Sequence, residues 1–179
     1  MEIMNYFQFY DLPLSFLLDE ALLRQKFYAM SKRLHPDFFT LEPEEKQAEI
    51  LEQSTYNNQA FKTLSDFDAR MKYVLGLKGL IPEEGQASLP QDFLMDMMEL
   101  NEEMMELEFG FDADLHARVL ETVSRMEHDL LAGVTPILEA FALHPESIDL
   151  QPVVDYFFKK KYLLRIRENL DKFAGPGGL

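Results

Sequence analysis

The chain has 179 residues, 47% of them apolar, with 32 acids against 17 lysines and arginines, four histidines and no cysteine. This is enough apolar material for one large packed domain or two small ones, and a net charge of −15 argues against general affinity for nucleic acid or anionic lipid, which require basic patches. Without cysteine the chain itself offers no disulfide, no thiol nucleophile and no cysteine-ligated zinc or iron-sulfur cluster.

The opening MEIMNYFQFYDLP lacks the basic start and small-residue cleavage site of a signal peptide, and no apolar run approaches membrane-span length. A cytoplasmic protein is expected. Beyond it, leucine, methionine and phenylalanine recur at spacings of three and four while strict alternation is absent, so the fold class is all-α. From about Asp19 to Leu34 a helix carries Leu23, Phe27, Met30 and Leu34 as one apolar stripe, and Arg24, Lys32 and Arg33 lie largely off it. Between Leu22 and Leu34 stand Arg24, Lys26, Lys32 and Arg33 with no acid among them. Pro36 ends the helix, because it has no N–H and disfavours helical geometry at His35. Pro43 with Glu42, Glu44 and Glu45 suits the start of a second helix that runs past Phe61 and Leu64. The two form an antiparallel hairpin whose loop is HPDFFTL.

Gly76, Gly79, Pro82, Gly85 and Pro90 then crowd together, which places a linker over 76–90. Three helices follow at about 91–109, 113–132 and 147–173, packed as a bundle with short loops, and 174–179 is a frayed tail. Leu115, Val119, Val123, Met126 and Leu130 stripe the second helix; Leu163, Ile166, Leu170 and Phe173 stripe the third. The first bundle helix, FLMDMMELNEEMMELEFGF, puts Phe93, Met97, Leu100, Met104 and Leu107 on its core face. Leu94, Met95 and Met98 fall off that stripe, beside Glu99, Glu102 and Glu106 on one exposed surface. That surface is either a contact site suited to adaptable methionines or the solvated face of a helix buried on two sides. The surrounding segment holds nine acids from Asp92 to Asp114 and no base. Opposite charges at two places on one chain suggest two different protein contacts.

Two histidine-proline pairs remain. At LHPES, Pro145 stops a helix and Ser147 serves as N-cap of the last one, with Asp149 in its first turn, so His144 is a loop residue. At RLHPDFF an imidazole, a rigid ring and a carboxylate project together from a hairpin turn at the end of a basic helix. On residues alone this is either a contact site or a helix stop with a capping aspartate. No HExxH, phosphate-cradling glycine loop or nucleophile motif is present, and His116 and His128 are twelve apart on different helix faces, so neither a metal site nor an enzyme is expected.

FYAMSKRLHPDFF after a short N-terminal helix, followed by NNQAFKTLSDFDARMKYVL, resembles a J-domain. Together with MNYFQFYDLP and FLMDMMELNEEMMELE, it resembles the HscB-type iron-sulfur co-chaperones over roughly residues 4–173. The resemblance implies a J-domain over 1–75 joined to a scaffold-binding three-helix bundle over 91–173. It further implies that His35, Pro36 and Asp37, oriented by Arg24, Lys26, Lys32 and Arg33, stimulate a chaperone ATPase of HscA or DnaK type. The bundle would bind an IscU-type scaffold through Leu94, Met95, Met98, Glu99, Glu102 and Glu106, with Tyr162 in an aromatic position. No cofactor is implied. Since the chain shows no cysteine-rich zinc module, a bacterial member is expected. Three positions depart from the family: Phe38 stands where a lysine commonly follows HPD, Asn57 where an apolar side chain usually packs, and SDFD lacks a common proline. These keep open the alternative of a general DnaK partner with another client.

Overall fold

A computed structural model describes residues 4–81 and 89–173; the expected tail at 174–179 and the middle of the expected linker, 82–88, lie outside the described residues. Among the described residues the secondary structure is helical throughout: α1 (Tyr6–Phe9), α2 (Glu20–Arg33), a 3-10 turn (Pro36–Phe39), α3 (Glu44–Ser65), α4 (Phe67–Leu77), α5 (Gln91–Phe109), α6 (Ala113–Leu143) and α7 (Gln151–Phe173). Two compact units are built from them, Met1–Gly79 with Glu139–Ser147, and Leu80–Leu138 with Ile148–Leu179.

In the first unit, side-chain caps start α1, α2 and α4. Asn5 and Gln8 close a reciprocal capping box that holds the single turn of α1. Asp19 accepts from the N–H groups of Ala21 and Leu22 at 2.9 and 3.1 Å and starts α2. Asp66 accepts from Ala69 N–H at 2.7 Å and breaks α3 from α4, a helix start that the hydrophobic spacing did not announce. The apolar faces of these helices meet at Phe7, Tyr10, Phe16, Leu23, Leu34, Leu64, Met71, Val74 and Leu75, all buried. Phe141, from the returning segment, lies against Phe16 with ring centres 4.8 Å apart.

Ser15, Asn57 and Arg70 are the buried polar residues among those described, and the last two bridge distant segments of this core. Asn57, at the position noted as polar where apolar packing is usual, accepts the Tyr10 hydroxyl on Oδ1 at 2.7 Å and donates to the Ser31 hydroxyl at 2.9 Å. Arg70 donates through Nε to the Phe16 carbonyl at 2.8 Å and through Nη1 to the Leu64 carbonyl. Burial holds its guanidinium below the usual pKa, although Glu20 and Asp66 act in the opposite sense. Each polar group thereby ties segments far apart in sequence, with no buried side-chain donor or acceptor left unsatisfied among the described residues.

In the second unit the three expected stripes converge. Phe93, Met97, Leu100, Met104 and Leu107 of α5 pack with Leu115, Val119 and Val123 of α6 and Leu163, Ile166 and Leu170 of α7; Met126, Leu130 and Phe173 line the margin. Arg167 on α7 adds a bidentate pair to Glu127 on α6, at 3.2 and 2.6 Å.

Two helix ends differ from the expected ones. α6 runs to Leu143 instead of stopping near 132, with Pro136 inside it. A proline in a helix interior costs about 3 kcal/mol. Val134, Leu138 and Phe141, all buried beyond the expected end, contribute about 5–9 kcal/mol together and outweigh it. α7 begins at Gln151, not 147, where Asp149 accepts from Gln151 N–H at 3.0 Å. A start at Ser147 would have carried Pro152 beyond the first turn, where its missing N–H matters. Ser147 instead closes a turn, its N–H donating to the His144 carbonyl at 3.2 Å.

Candidate functional site

The hairpin turn between α2 and α3 carries the first group of residues. His35 takes an extended conformation (φ −70, ψ 122), as a residue before proline must, and Pro36 opens the 3-10 turn. The Asp37 N–H donates to His35 Nδ1 at 3.3 Å, which puts the proton of the neutral ring on Nε2, the other nitrogen. The Asp37 side chain is 82% exposed and its Oδ2 lies 3.6 Å from Nδ1. Downstream, Gln47 on α3 donates to the carbonyls of Thr40 and Glu42 at 3.3 and 2.8 Å and pins the far end of the loop. The turn thus presents a donor, a rigid ring and a carboxylate to solvent, all held by short-range bonds.

The four basic residues divide between two flanks of α2. Arg24 and Lys32, eight apart, share one exposed flank that leads to His35. Lys26 and Arg33, seven apart, share the other; Lys26 is half-buried and donates to the Asp11 carbonyl at 3.0 Å. Between Arg24 and Lys32 stands Tyr28, exposed and unremarked in the sequence because it lies off the core stripe. Tyr28, Lys32, His35, Asp37 and Phe38 line an open cleft of about 410 Å³. Phe38 is exposed, its ring centre 5.7 Å from that of His35.

On α5 the alternation of faces is sharp. Leu94, Met95, Met98, Glu99, Glu102 and Glu106 are all exposed, opposite the buried stripe. Glu99, Glu102 and Glu106 border a groove towards α6 of about 520 Å³, which Asp96 and Glu103 also line with Arg125 as a cation. At the α7 flank, the Tyr162 hydroxyl accepts from Asn101 Nδ2 at 3.2 Å and its ring stands edge-on to Phe93. Passing from α7 to α6, the surface therefore changes from aromatic and amide through apolar to acidic. On α7, Lys159 sets its ammonium over the Phe93 ring at 5.4 Å, and Lys161 is exposed. Asp112 serves as a cap: the N–H groups of Leu115 and Asp114 hold its carboxyl below the usual range, with Arg118 acting in the same sense.

Among the described residues no cluster of histidines and carboxylates fits a metal, and no helix is long and apolar enough to cross a membrane. His116 Nε2 lies 3.2 Å from the Leu170 carbonyl, a link between α6 and α7. The second histidine-proline pair is tied into the fold, since Lys78 Nζ donates to the Pro145 carbonyl at 3.2 Å and pairs with Glu146 at 3.0 Å.

Residues 89–171 match the family model described as the HSCB C-terminal oligomerisation domain. The Co-chaperone protein HscB homolog of Vibrio vulnificus is 32% identical over 167 residues, 92% of this chain and 97% of that one. The chain belongs to the HscB co-chaperone family. Its fold agrees with the Vibrio cholerae chaperone HscB (28% identity, TM-score 0.68, covering 96% of this chain and 98% of that chain). It also agrees with the crystal structure of human co-chaperone HscB (25% identity, TM-score 0.77, covering 98% and 85%). The relatives are named co-chaperones, and the HscB architecture of a J-domain and a C-terminal helical bundle is the one seen here.

Proposed function

We propose that the chain is a two-contact adaptor in iron-sulfur cluster assembly, which binds an IscU-type scaffold on α5 and stimulates the ATPase of an HscA- or DnaK-type chaperone through His35, Pro36 and Asp37. The observation that carries this reading is that both groups stand exposed, His35, Pro36 and Asp37 in the turn between α2 and α3 and the α5 residues opposite a buried stripe. Asp37 offers a charge-assisted acceptor to a basic group of the ATPase, His35 a donor at Nε2, and Pro36 fixes their spacing. Arg24 and Lys32 steer an acidic partner onto the turn; as rim charges each contributes about 0.2–1 kcal/mol and acts mainly on the association rate. Lys26 and Arg33, on the other flank, have the smaller role.

On the bundle, Leu94 and Met98 form the apolar anchor, and Glu99, Glu102 and Glu106 orient the scaffold more than they tighten it. Met95 and Tyr162 extend the contact at its sides. Holding both partners on one chain raises their effective concentration, so that client transfer becomes local. The chain activates its partner and hydrolyses nothing itself. A specific observation supports a second reading, a general DnaK with a different client: exposed Tyr28 and Phe38 give the turn an aromatic character beside its charge.

Two titrations test the proposal. Leu94→Ala with Met98→Ala should weaken scaffold binding about tenfold in calorimetry and leave basal ATPase stimulation intact. His35→Gln should leave scaffold binding intact and remove stimulation. Scaffold affinity unchanged by the first pair would remove the scaffold from the α5 surface and favour another client.

A further inference from the structure

The exposed apolar groups of α5 do not end with Met98. Met105 is 56% exposed and Phe109, the last residue of the helix, 90% exposed. Leu94, Met98, Met105 and Phe109 follow one another at spacings of four, seven and four, so they form one stripe about 22 Å long. The interruption at Asn101 is polar, but its amide donates to the Tyr162 hydroxyl, which satisfies one of its hydrogens at the α7 flank. The core of the bundle has no use for this stripe, because the opposite face of α5 supplies every buried residue of the helix. An exposed stripe of large apolar side chains beside carboxylates, broken only at Asn101, is the pattern of a contact surface rather than of a solvated helix.

We propose that Met105 and Phe109 form a second anchor that extends the apolar contact of α5 by about three turns beyond Met98 and takes an apolar ridge of the partner bordered by lysine or arginine. The inference rests on the reading of α5 as the scaffold surface and names the chemistry that the scaffold must present there. Charge decides the occupant. Glu102 and Glu106 run along one side of the stripe and Glu108 along the other, all exposed. In a second copy of this chain, of net charge −15, the same carboxylates would face them. A partner with a cationic border meets the same rim favourably. The anchors also differ in kind: Met98 and Met105 adapt their shape, while Phe109 offers a rigid ring at the helix end.

The test compares the full chain with two double variants in calorimetric titrations against the purified IscU-type scaffold at low and moderate salt. Met105→Ala with Phe109→Ala should weaken binding on the order of tenfold while leaving its salt dependence unchanged. Glu102→Gln with Glu106→Gln should flatten the salt dependence. Helicity and melting temperature are followed in every variant, and Phe109→Lys, a single change at an exposed helix end, provides the same readout if the double variant loses structure. Weakening by Leu94→Ala with Met98→Ala but not by any change at Met105 or Phe109 overturns the second anchor alone. Wild-type binding in all of them overturns the scaffold reading as well. Sedimentation that shows a dimer dissociated by the Met105 and Phe109 changes identifies a second copy as the occupant and overturns the proposal.

Discussion

The α2–α3 turn and the α5 surface expose functional groups in opposite ways. At the turn, His35, Pro36 and Asp37 are released from the fold: α2 has ended, α3 has not begun, and the three are held by a 3-10 turn and one side-chain bond to the backbone. On α5 the exposed residues are inseparable from the core, since every exposed methionine rides on a helix anchored by Phe93, Met97 and Leu100. Substitution in the turn should therefore leave the structure intact, whereas on α5 one step along the chain separates an exposed residue from a folding residue. Their charges differ as well, basic beside the turn and acidic on α5, so the two surfaces suit partners of opposite charge.

The most severe way to break this contrast is through the buried frame behind the turn. Arg70→Met leaves the carbonyls of Phe16 and Leu64 without their donor and should cost about 3 kcal/mol in chemical denaturation, far more than Asp37→Asn in the same unit. The neighbouring methionines of α5 sharpen it: buried Met97→Ala should cost about 2–4 kcal/mol, and exposed Met98→Ala less than about 0.5. Arg167→Ala, which removes a partly exposed pair between α6 and α7, should cost about 1 kcal/mol.

The smallest effect is one of pH. Burial pushes the Tyr56 hydroxyl up to about 12, with Tyr73 and Tyr6 adding to the shift, and burial raises Tyr10 and Tyr73 in the same direction. The fold thus favours neutral tyrosine, a contribution complete below pH 10 that disappears as pH rises from about 10 to about 12. Alkaline titration followed by ultraviolet difference spectra and circular dichroism should show the first unit losing structure above pH 10. Tyr56→Phe, which cannot ionise, should move that onset upward.

Much of the bundle was legible because a helix buried on one face advertises it at every third and fourth residue: all five expected core residues of α5 are buried, and its limits are those expected. The same signal cannot see a proline overruled by packing, which is why α6 continues through Pro136. Nor can it place a buried polar group. Arg70 reads as a surface residue, and Asn57 attracted notice only as an oddity at an apolar position; each makes a bond to a residue far off in sequence, Phe16 at 54 positions and Ser31 at 26. At the turn, the tripeptide and its basic helix were visible, but the separation of Lys26 from Lys32 and the presence of Tyr28 beside the cleft depended on the pitch of α2 and its packing.

The decisive measurement is the steady-state ATPase rate of an HscA- or DnaK-type chaperone with this chain and the scaffold added singly and together, for the wild type and for Asp37→Asn. A two-contact adaptor predicts stimulation greater with both than the sum of each alone, absent in Asp37→Asn although that variant keeps its helicity and its scaffold affinity. Equal stimulation by Asp37→Asn, or none by the wild type with any cognate chaperone, would contradict it and leave the exposed tripeptide a helix stop.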